Sequence, residues 1–256
     1  EENRYEGRTI QEGAQGRAWV YNNKDMFWSF ENYLTYNKSF GEIHDFTGMV
    51  GLSWQETDYF GIRAESRTFA TDHFLYNNIG AGSNNLGVGS GAAREALNSY
   101  FGRFNYSLMN KYLVTFTGRI DGSSKFGENN KYAFFPSAAA AWRVIDENFM
   151  AGQNTFSDLK LRVSYGVAGN AAVRPYSTLS GLVLIPWSWN EQTALAYALD
   201  PQAGNPDLNW ELTATQNIGL DVGLMKNRII ASVDYYDSRT SDLLLLRALP
   251  PTSGVQ

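Results

Sequence analysis

From one end to the other the chain alternates apolar and polar residues with a period of two, the pattern of strands whose two faces meet unlike surroundings. Lys111–Asp121 puts Tyr112, Val114, Phe116, Gly118 and Ile120 on one parity and Lys111, Leu113, Thr115, Thr117, Arg119 and Asp121 on the other. Leu159–Gly166 divides into Leu159, Leu161, Val163 and Tyr165 against Lys160, Arg162, Ser164 and Gly166. Glu211–Leu224 sets Leu212, Ala214, Ile218, Leu220, Val222 and Leu224 against Glu211, Thr213, Thr215, Asn217 and Asp221, with Gln216 as the exception. Arg228–Ser238 follows the same rule, blurred by Ile230 and Tyr236, as do Tyr100–Leu108 and Val50–Gln55. Phe134–Val144 is the weakest strand because both of its faces are rich in alanine. Only Asp146–Phe149 and Ala92–Leu97 could make a short turn of helix.

The connections alternate as well. A tight stretch, Ser39–His44, joins a strand over Trp28–Lys38 to a long one from Asp45 to about Ser66, which opens into a Gly/Asn-rich loop reaching Ala96. Turns at Met109–Asn110 and Lys226–Asn227 are short, a moderate connection covers Asp146–Asp158, and the loops Gly122–Lys131 and Val167–Asn209 are longer. Short turns on one rim and long loops on the other describe an antiparallel transmembrane β-barrel, all-β, of which the chain would supply roughly eight long strands. A strand of about 11 residues rising ~3.4 Å per residue and tilted ~40° covers roughly 28 Å of membrane normal, which suits an apolar band ~25 Å tall. Tyr100, Tyr112, Phe134, Trp142, Tyr165, Trp210 and Tyr235 lie near strand ends, where interfacial girdles sit. A soluble β-sandwich carbohydrate-binding module has the same alternation and differs in one respect: its apolar parity is buried against a second sheet. Loops of this length disfavour it.

Composition narrows the classes. Aromatic residues make up 14% and charged residues 18% of the 256 residues, with a net charge of −5, so no basic excess exists to neutralise a nucleic-acid backbone. Cysteine is absent, which removes disulfides, thiolate chemistry and cysteine zinc sites. No apolar run approaches the ~18 residues of a transmembrane helix. His44, in a predicted short turn, and His73, in a loop, have no metal-ligand or nucleophile context, and no local carboxylate pair identifies a general acid and base, so the chain does not read as an enzyme. Gly80–Gly91 lacks both GxGxxG and GxxxxGK[ST] and reads as a flexible loop. The polar start EENRYEGRTIQEG has no signal-peptide pattern and the tail LPPTSGVQ reads as loop, so an internal piece of a larger protein is expected.

Several motifs in fixed order then carry a resemblance. They are GRFNY at Gly102–Tyr106, RIDGSSKFG at Arg119–Gly127 and FPSAAAAWR at Phe135–Arg143, all within Ser99–Phe149. They continue in Ser157–Asn170, Gly204–Leu224 and Asn227–Leu245, and upstream in YLTYNKSFGEIHDFTGMVGLSWQ at Tyr33–Gln55. The chain resembles the C-terminal barrel of SusC/RagA-like TonB-dependent outer-membrane transporters over nearly its whole length. The resemblance implies one stretch, residues 1–256, of a plugged barrel of about 22 strands, with the plug, the early strands and the last strands outside it. It further implies localisation in the outer membrane of a Gram-negative bacterium and TonB-driven import of oligosaccharides or peptides. The implied partners are a SusD-like surface lipoprotein as lid, the TonB complex (through the absent N-terminal part), the oligosaccharide or peptide substrate and the lipid bilayer. No nucleic acid, cofactor or metal is implied. A siderophore- or vitamin-type receptor without a lid is the alternative inside the class.

Candidate sites follow. Trp187, Trp189, Asn190, Gln192 and Tyr197 are expected to contact substrate or lid from the longest loop. Asp121, Gly122, Ser123, Ser124, Phe126 and Gly127 form a rim-loop motif whose first role is to hold a turn. Arg103, Arg119, Asp121, Arg143, Lys160, Arg162, Asp221 and Asp234 fall on the parity that would face a lumen.

Overall fold

The computed structural model describes residues 2–7, 16–41, 43–189, 192–200, 203–247 and 250. Alternation becomes strand wherever it was legible. In chain order the strands are β1 (Glu2–Glu6), β2 (Arg17–Phe40), β3 (His44–Phe69), β4 (Gly82–Leu108), β5 (Tyr112–Ser123), β6 (Tyr132–Arg143), β7 (Phe156–Asn170), β8 (Leu182–Trp189), β9 (Gln192–Leu199), β10 (Glu211–Leu224) and β11 (Ile229–Ser241). Nine of them form one sheet in the order β1-β2-β3-β4-β5-β6-β7-β10-β11, a meander interrupted only where β8 and β9 pair with each other. The registered pairs are antiparallel. Among the described residues the sheet does not close: β1 and β11 are its edges.

The tight turns have a local cause. Met109 and Asn110 both take positive φ, 55° each, with the Lys111 amide bonded to the Leu108 carbonyl at 3.0 Å. That is the hairpin turn whose twist matches the strands it joins. Met225, Lys226 and Asn227 take φ of 53°, 59° and 61° at the β10–β11 turn. In β6, Pro136 has no N–H to donate, and the β6–β7 ladder stops one residue short of it, at Ser137–Gly166.

Several expectations need correcting. The Gly80–Gly91 segment is not a free loop: after a 3₁₀ turn at Leu75–Ala81 the chain enters β4 at Gly82. The Ala92–Leu97 helical turn is likewise strand. Glycine has no side chain to carry a parity, so this part of β4 is invisible to pattern reading, and pairing with β3 decides it. The hydroxyls of Ser66 and Ser83 tie it in, donating to the carbonyls of Asn84 and Thr68 at 3.3 and 3.1 Å. His44 opens β3 rather than sitting in the turn. The Val167–Asn209 loop contains the β8–β9 hairpin, and the polar start contributes β1.

The chain divides into two units, Glu1–Ser29 with Gln55–Glu95 and Phe30–Trp54 with Ala96–Gln256. In the second, the apolar parity is uncovered: Leu161, Val163 and Tyr165 are 38%, 43% and 49% exposed. The β-sandwich requires those residues to be buried against a second sheet, and they are not. Aromatic residues of that same face contact one another across strands, Phe30 on Trp54 at 5.7 Å and Phe46 on Phe104 at 5.0 Å. Among the described residues buried apolar side chains are few, and a cluster of them (Phe126, Phe135 and Trp210) sits at a loop end of the strands. A chain so poor in core and so rich in exposed apolar strand surface is stable where that surface meets hydrocarbon.

Candidate functional site: inner wall and loop rims

The registers of the second unit settle which residues share a face. Arg119 pairs with Phe135, Ala141 with Arg162, Arg143 with Lys160, Lys160 with Asp221, and Gly219 with both Arg162 and Asp234. Directly paired residues point the same way, so Arg103, Arg119, Asp121, Arg143, Lys160, Arg162, Asp221 and Asp234 lie on one polar face. Ile230 and Tyr236, which blurred the pattern of β11, lie on that face as well, opposite Gly223 and Asn217.

The polar face is knitted by ion pairs. Arg162 donates through Nε and Nη2 to the two carboxylate oxygens of Asp221, both at 2.8 Å. Its Nη2 also reaches Ser232 Oγ at 3.2 Å and Asp234 at 3.2 Å. The guanidinium lies flat because Gly219 stands beneath it: a Cβ there would come within 2.5 Å of Asp234 Oδ1 and 2.8 Å of Arg162 Nη2. Arg119 donates to Asp121 at 2.6 and 2.8 Å and to Ser99 at 2.8 Å. Arg103 donates to Thr117 Oγ1 at 3.3 Å. Arg143 reaches the Asn110 carbonyl at 3.4 Å and Asp146 at 3.1 Å. Such pairs keep a polar wall ordered and wettable; no metal-ligating cluster of three or more side chains occurs among the described residues.

The rim-loop motif is built inward. Phe126 and Trp210 are only 2% and 4% exposed. Their ring centroids lie 5.0 Å apart, and Trp210 meets Phe135 edge-on at 5.3 Å. Trp210 Nε1 donates to the Lys131 carbonyl at 3.0 Å, and Asn130 Nδ2 to the Asp207 carbonyl at 3.1 Å. A Cβ on Gly127 would collide with the Pro206 carbonyl, so the two loops can close on each other only with glycine at that position. Ser124 exchanges bonds with Ala96, amide to carbonyl at 2.9 Å and amide to hydroxyl at 2.8 Å. The motif thus clamps loop 124–131 to loop 204–210. Trp210, read from sequence as a girdle residue, is the largest side chain of that clamp.

The loop aromatics are not one cluster. In the β8–β9 hairpin Trp187 pairs with Ala194 and Tyr197 with Leu184, which puts Trp187 and Tyr197 on opposite faces. Both are well exposed, 60% and 71%. Asn190 lies outside the described residues, and of Trp189 and Gln192 only the backbone is described.

At the short-turn end of the second unit, Glu147 collects three donors: Tyr112 Oη at 2.5 Å, Trp142 Nε1 at 3.0 Å and Lys111 Nζ at 3.3 Å. The Tyr112 and Trp142 rings stack 6.5 Å apart. The Tyr112 hydroxyl first, then the Trp142 indole and Lys111, hold the carboxyl below its ordinary pKa of 4.5. A depressed carboxyl pKa adds stability above the ordinary value and gives it up as pH falls through the depressed one. We expect the near-ultraviolet circular dichroism of the full-length protein to lose a component below pH 4.5, and Glu147→Gln to remove that acid-labile step. Equal acid titrations for both proteins would refute the assignment.

The first unit has its own constellation, which sequence reading passed over. Glu65 accepts from Arg17 Nε at 2.6 Å and Arg63 Nη2 at 2.5 Å, and Arg67 Nη2 stands 3.7 Å away. Trp19 lies under the guanidiniums of Arg4 and Arg17, at 5.3 and 5.0 Å. The legible signal was Arg17-x-Trp19-x-Tyr21-x-Asn23 and Arg63-x-Glu65-x-Arg67, charge at the strand period. A groove of about 670 Å³ continues from it, its lining including Tyr21, Asn23, Asp25, Tyr59, Phe60 and Arg63 and residues 89–93 of β4.

An antiparallel meander with one apolar face uncovered, one ion-paired polar face and ordered rim loops defines a membrane β-barrel wall. Residues 3–256 match the family described as TonB dependent receptor-like, beta-barrel, and the chain belongs to it, in the SusC/RagA-like branch. It is 44% identical over 225 residues to TonB-dependent receptor P3 of Formosa agariphila, covering 88% of this chain and 22% of that protein. To TonB-dependent receptor SusC of Bacteroides thetaiotaomicron it is 42% identical over 159 residues, 60% of this chain and 16% of that protein. Its fold superposes on the RagAB peptide transporter with a TM-score of 0.82 at 32% identity, covering 93% of this chain and 26% of that one. The same importer in an "open-open" state gives 0.80 at 32% identity, over 94% of this chain and 26% of that one. The chain therefore spans about a fifth of the curated relatives named here.

Proposed function

We propose that this chain is part of the wall of an outer-membrane importer of oligosaccharides or peptides, driven by TonB and lidded by a SusD-like surface lipoprotein. The observation that carries the reading is the division of the same strands into an uncovered apolar face and a polar face tied by Arg162–Asp221–Asp234 and Arg119–Asp121. The first suits lipid, and the second suits a water-filled or plugged lumen. Import through such a wall needs no covalent step, and the relatives are named as receptors and transporters, so the protein is read as a transporter and not an enzyme. TonB would act through a part of the protein outside this chain. The β8–β9 hairpin, with Trp187 on one face and Tyr197 on the other, can meet substrate with one ring and the lid with the other. The RagAB importer is known in "closed-closed" and "open-open" states, which supports a lid that opens and shuts over the rim.

Affinity purification of the full-length receptor from native outer membranes tests the reading. The expected result is co-purification of one SusD-like lipoprotein in equal amount, with uptake of the cognate nutrient lost when either TonB or that lipoprotein is deleted. A receptor that purifies alone and imports without a lipoprotein would transfer the chain to the siderophore- or vitamin-type class.

A further inference from the structure

The arginine constellation of the first unit has more guanidinium than its carboxylates satisfy. Arg17, Arg63 and Arg67 share Glu65, while Arg4 and Arg17 lie over the Trp19 ring and Glu6 is 3.6 Å from Arg4. The Arg67 Nε–H is buried and has no acceptor among the described residues. A buried charged donor without an acceptor is costly, and a ligand oxyanion removes the cost.

The adjoining groove favours one class of ligand. Tyr21 and Tyr59 are both partly exposed along it, beside the amide of Asn23. Gly89 and Gly91 leave its floor flat, with open space where their Cβ atoms would be. Its apolar lining is a ring and two methyl groups, Phe60, Ala92 and Ala93, with no Leu, Ile, Val or Met to build a pocket for long aliphatic side chains. Flat rings beside an amide and a bare floor suit pyranose rings. At the far end Asp25 and Glu95 add negative charge, Glu95 accepting from the Tyr59 hydroxyl at 3.1 Å, so the anion-accepting part is confined to the arginine end.

We infer that Arg4, Arg17, Arg63 and Arg67, with the groove beside Arg63, form a binding site for an acidic oligosaccharide, a sugar chain bearing carboxylate or sulfate groups. This rests on the reading of the chain as an importer wall and narrows its substrate class.

Titration calorimetry on the full-length receptor with its lipoprotein tests the site with named probes: hexagalacturonate, a sulfated galactan hexasaccharide, neutral maltohexaose and hexaglutamate. One of the two acidic sugars should bind about tenfold or more tighter than maltohexaose, and which one does so distinguishes carboxylate from sulfate. Its affinity should fall between ~0.1 and ~1 M NaCl, where the screening length shrinks from about 10 to 3 Å. Arg63→Gln with Arg67→Gln should weaken it about tenfold, while Arg67→Lys, which keeps the charge, retains most of the affinity and reports that the strand ends are folded. Equal binding of maltohexaose and no response to the arginine changes would overturn the acidic site and leave the importer reading intact. Arginine-dependent binding of hexaglutamate alone would overturn the saccharide class. No binding by any probe would overturn the site, and the importer reading would still be judged separately by TonB-dependent uptake.

Discussion

Phe126→Ala in the full-length receptor should destabilise the outer loops by about 3–5 kcal/mol, the cost of removing a fully buried aromatic ring. Phe126 is the most buried member of a cluster with Phe135 and Trp210, and Trp210 is held in place by its side-chain bond from Nε1 to the Lys131 carbonyl at 3.0 Å, which limits how far the cluster can collapse into the gap. The effect should be local to the loop clamp. Limited proteolysis should cut within 124–131 and 204–210 in the variant and not in the parent, while the strands stay protected. Trp210→Ala should act similarly, and because the two rings touch, the double variant should cost less than the sum of the singles. Unchanged protease resistance in Phe126→Ala would mean that the cluster does not hold the loops.

The second large effect separates the two faces. Phe116→Arg, near the middle of β5 on the uncovered apolar parity, should cost about 2–4 kcal/mol, as a cation does at the bilayer midplane. Thr117→Arg, one residue on, points to the polar face beside Arg103 and should leave barrel assembly unchanged. Folding of the two full-length variants into lipid vesicles, read by the mobility difference between heated and unheated samples, distinguishes them. Equal assembly would mean that Phe116 does not face lipid. The same measurement separates this fold from a β-sandwich, in which Phe116 would be core and Thr117 solvent.

The strands were legible where their side chains alternated. β10 begins and ends at the residues its pattern marked, and β5 and β6 differ from theirs by two residues or fewer. The short turns at Met109–Asn110 and Lys226–Asn227 could be read for the same reason: they are gaps between two clear periodic runs. Legibility failed where residues carry no parity. The glycines of β4 gave no pattern, and the hairpin β8–β9 lay inside a stretch read as loop. Among the site residues, the shared face of Arg119, Arg162 and Asp221 followed from parity alone. That Trp187 and Tyr197 lie on opposite faces of their hairpin could not be read from the sequence, because nearness in sequence says nothing about the face a hairpin register assigns. The arginine constellation around Glu65 was missed because Arg17 and Arg63 are far apart in sequence, and each strand looked like ordinary polar alternation.

By itself the sequence determined the strand faces, the tight turns, the all-β class and the family, because these rest on local alternation and on motifs read in order. Only the tertiary structure decided which charges meet. Arg162 finds Asp221 and Asp234 across three strands, and Trp210 caps the Lys131 carbonyl 79 residues away. Those contacts depend on strand register, and register is set jointly by all the pairings of a sheet, so no single stretch of sequence contains it.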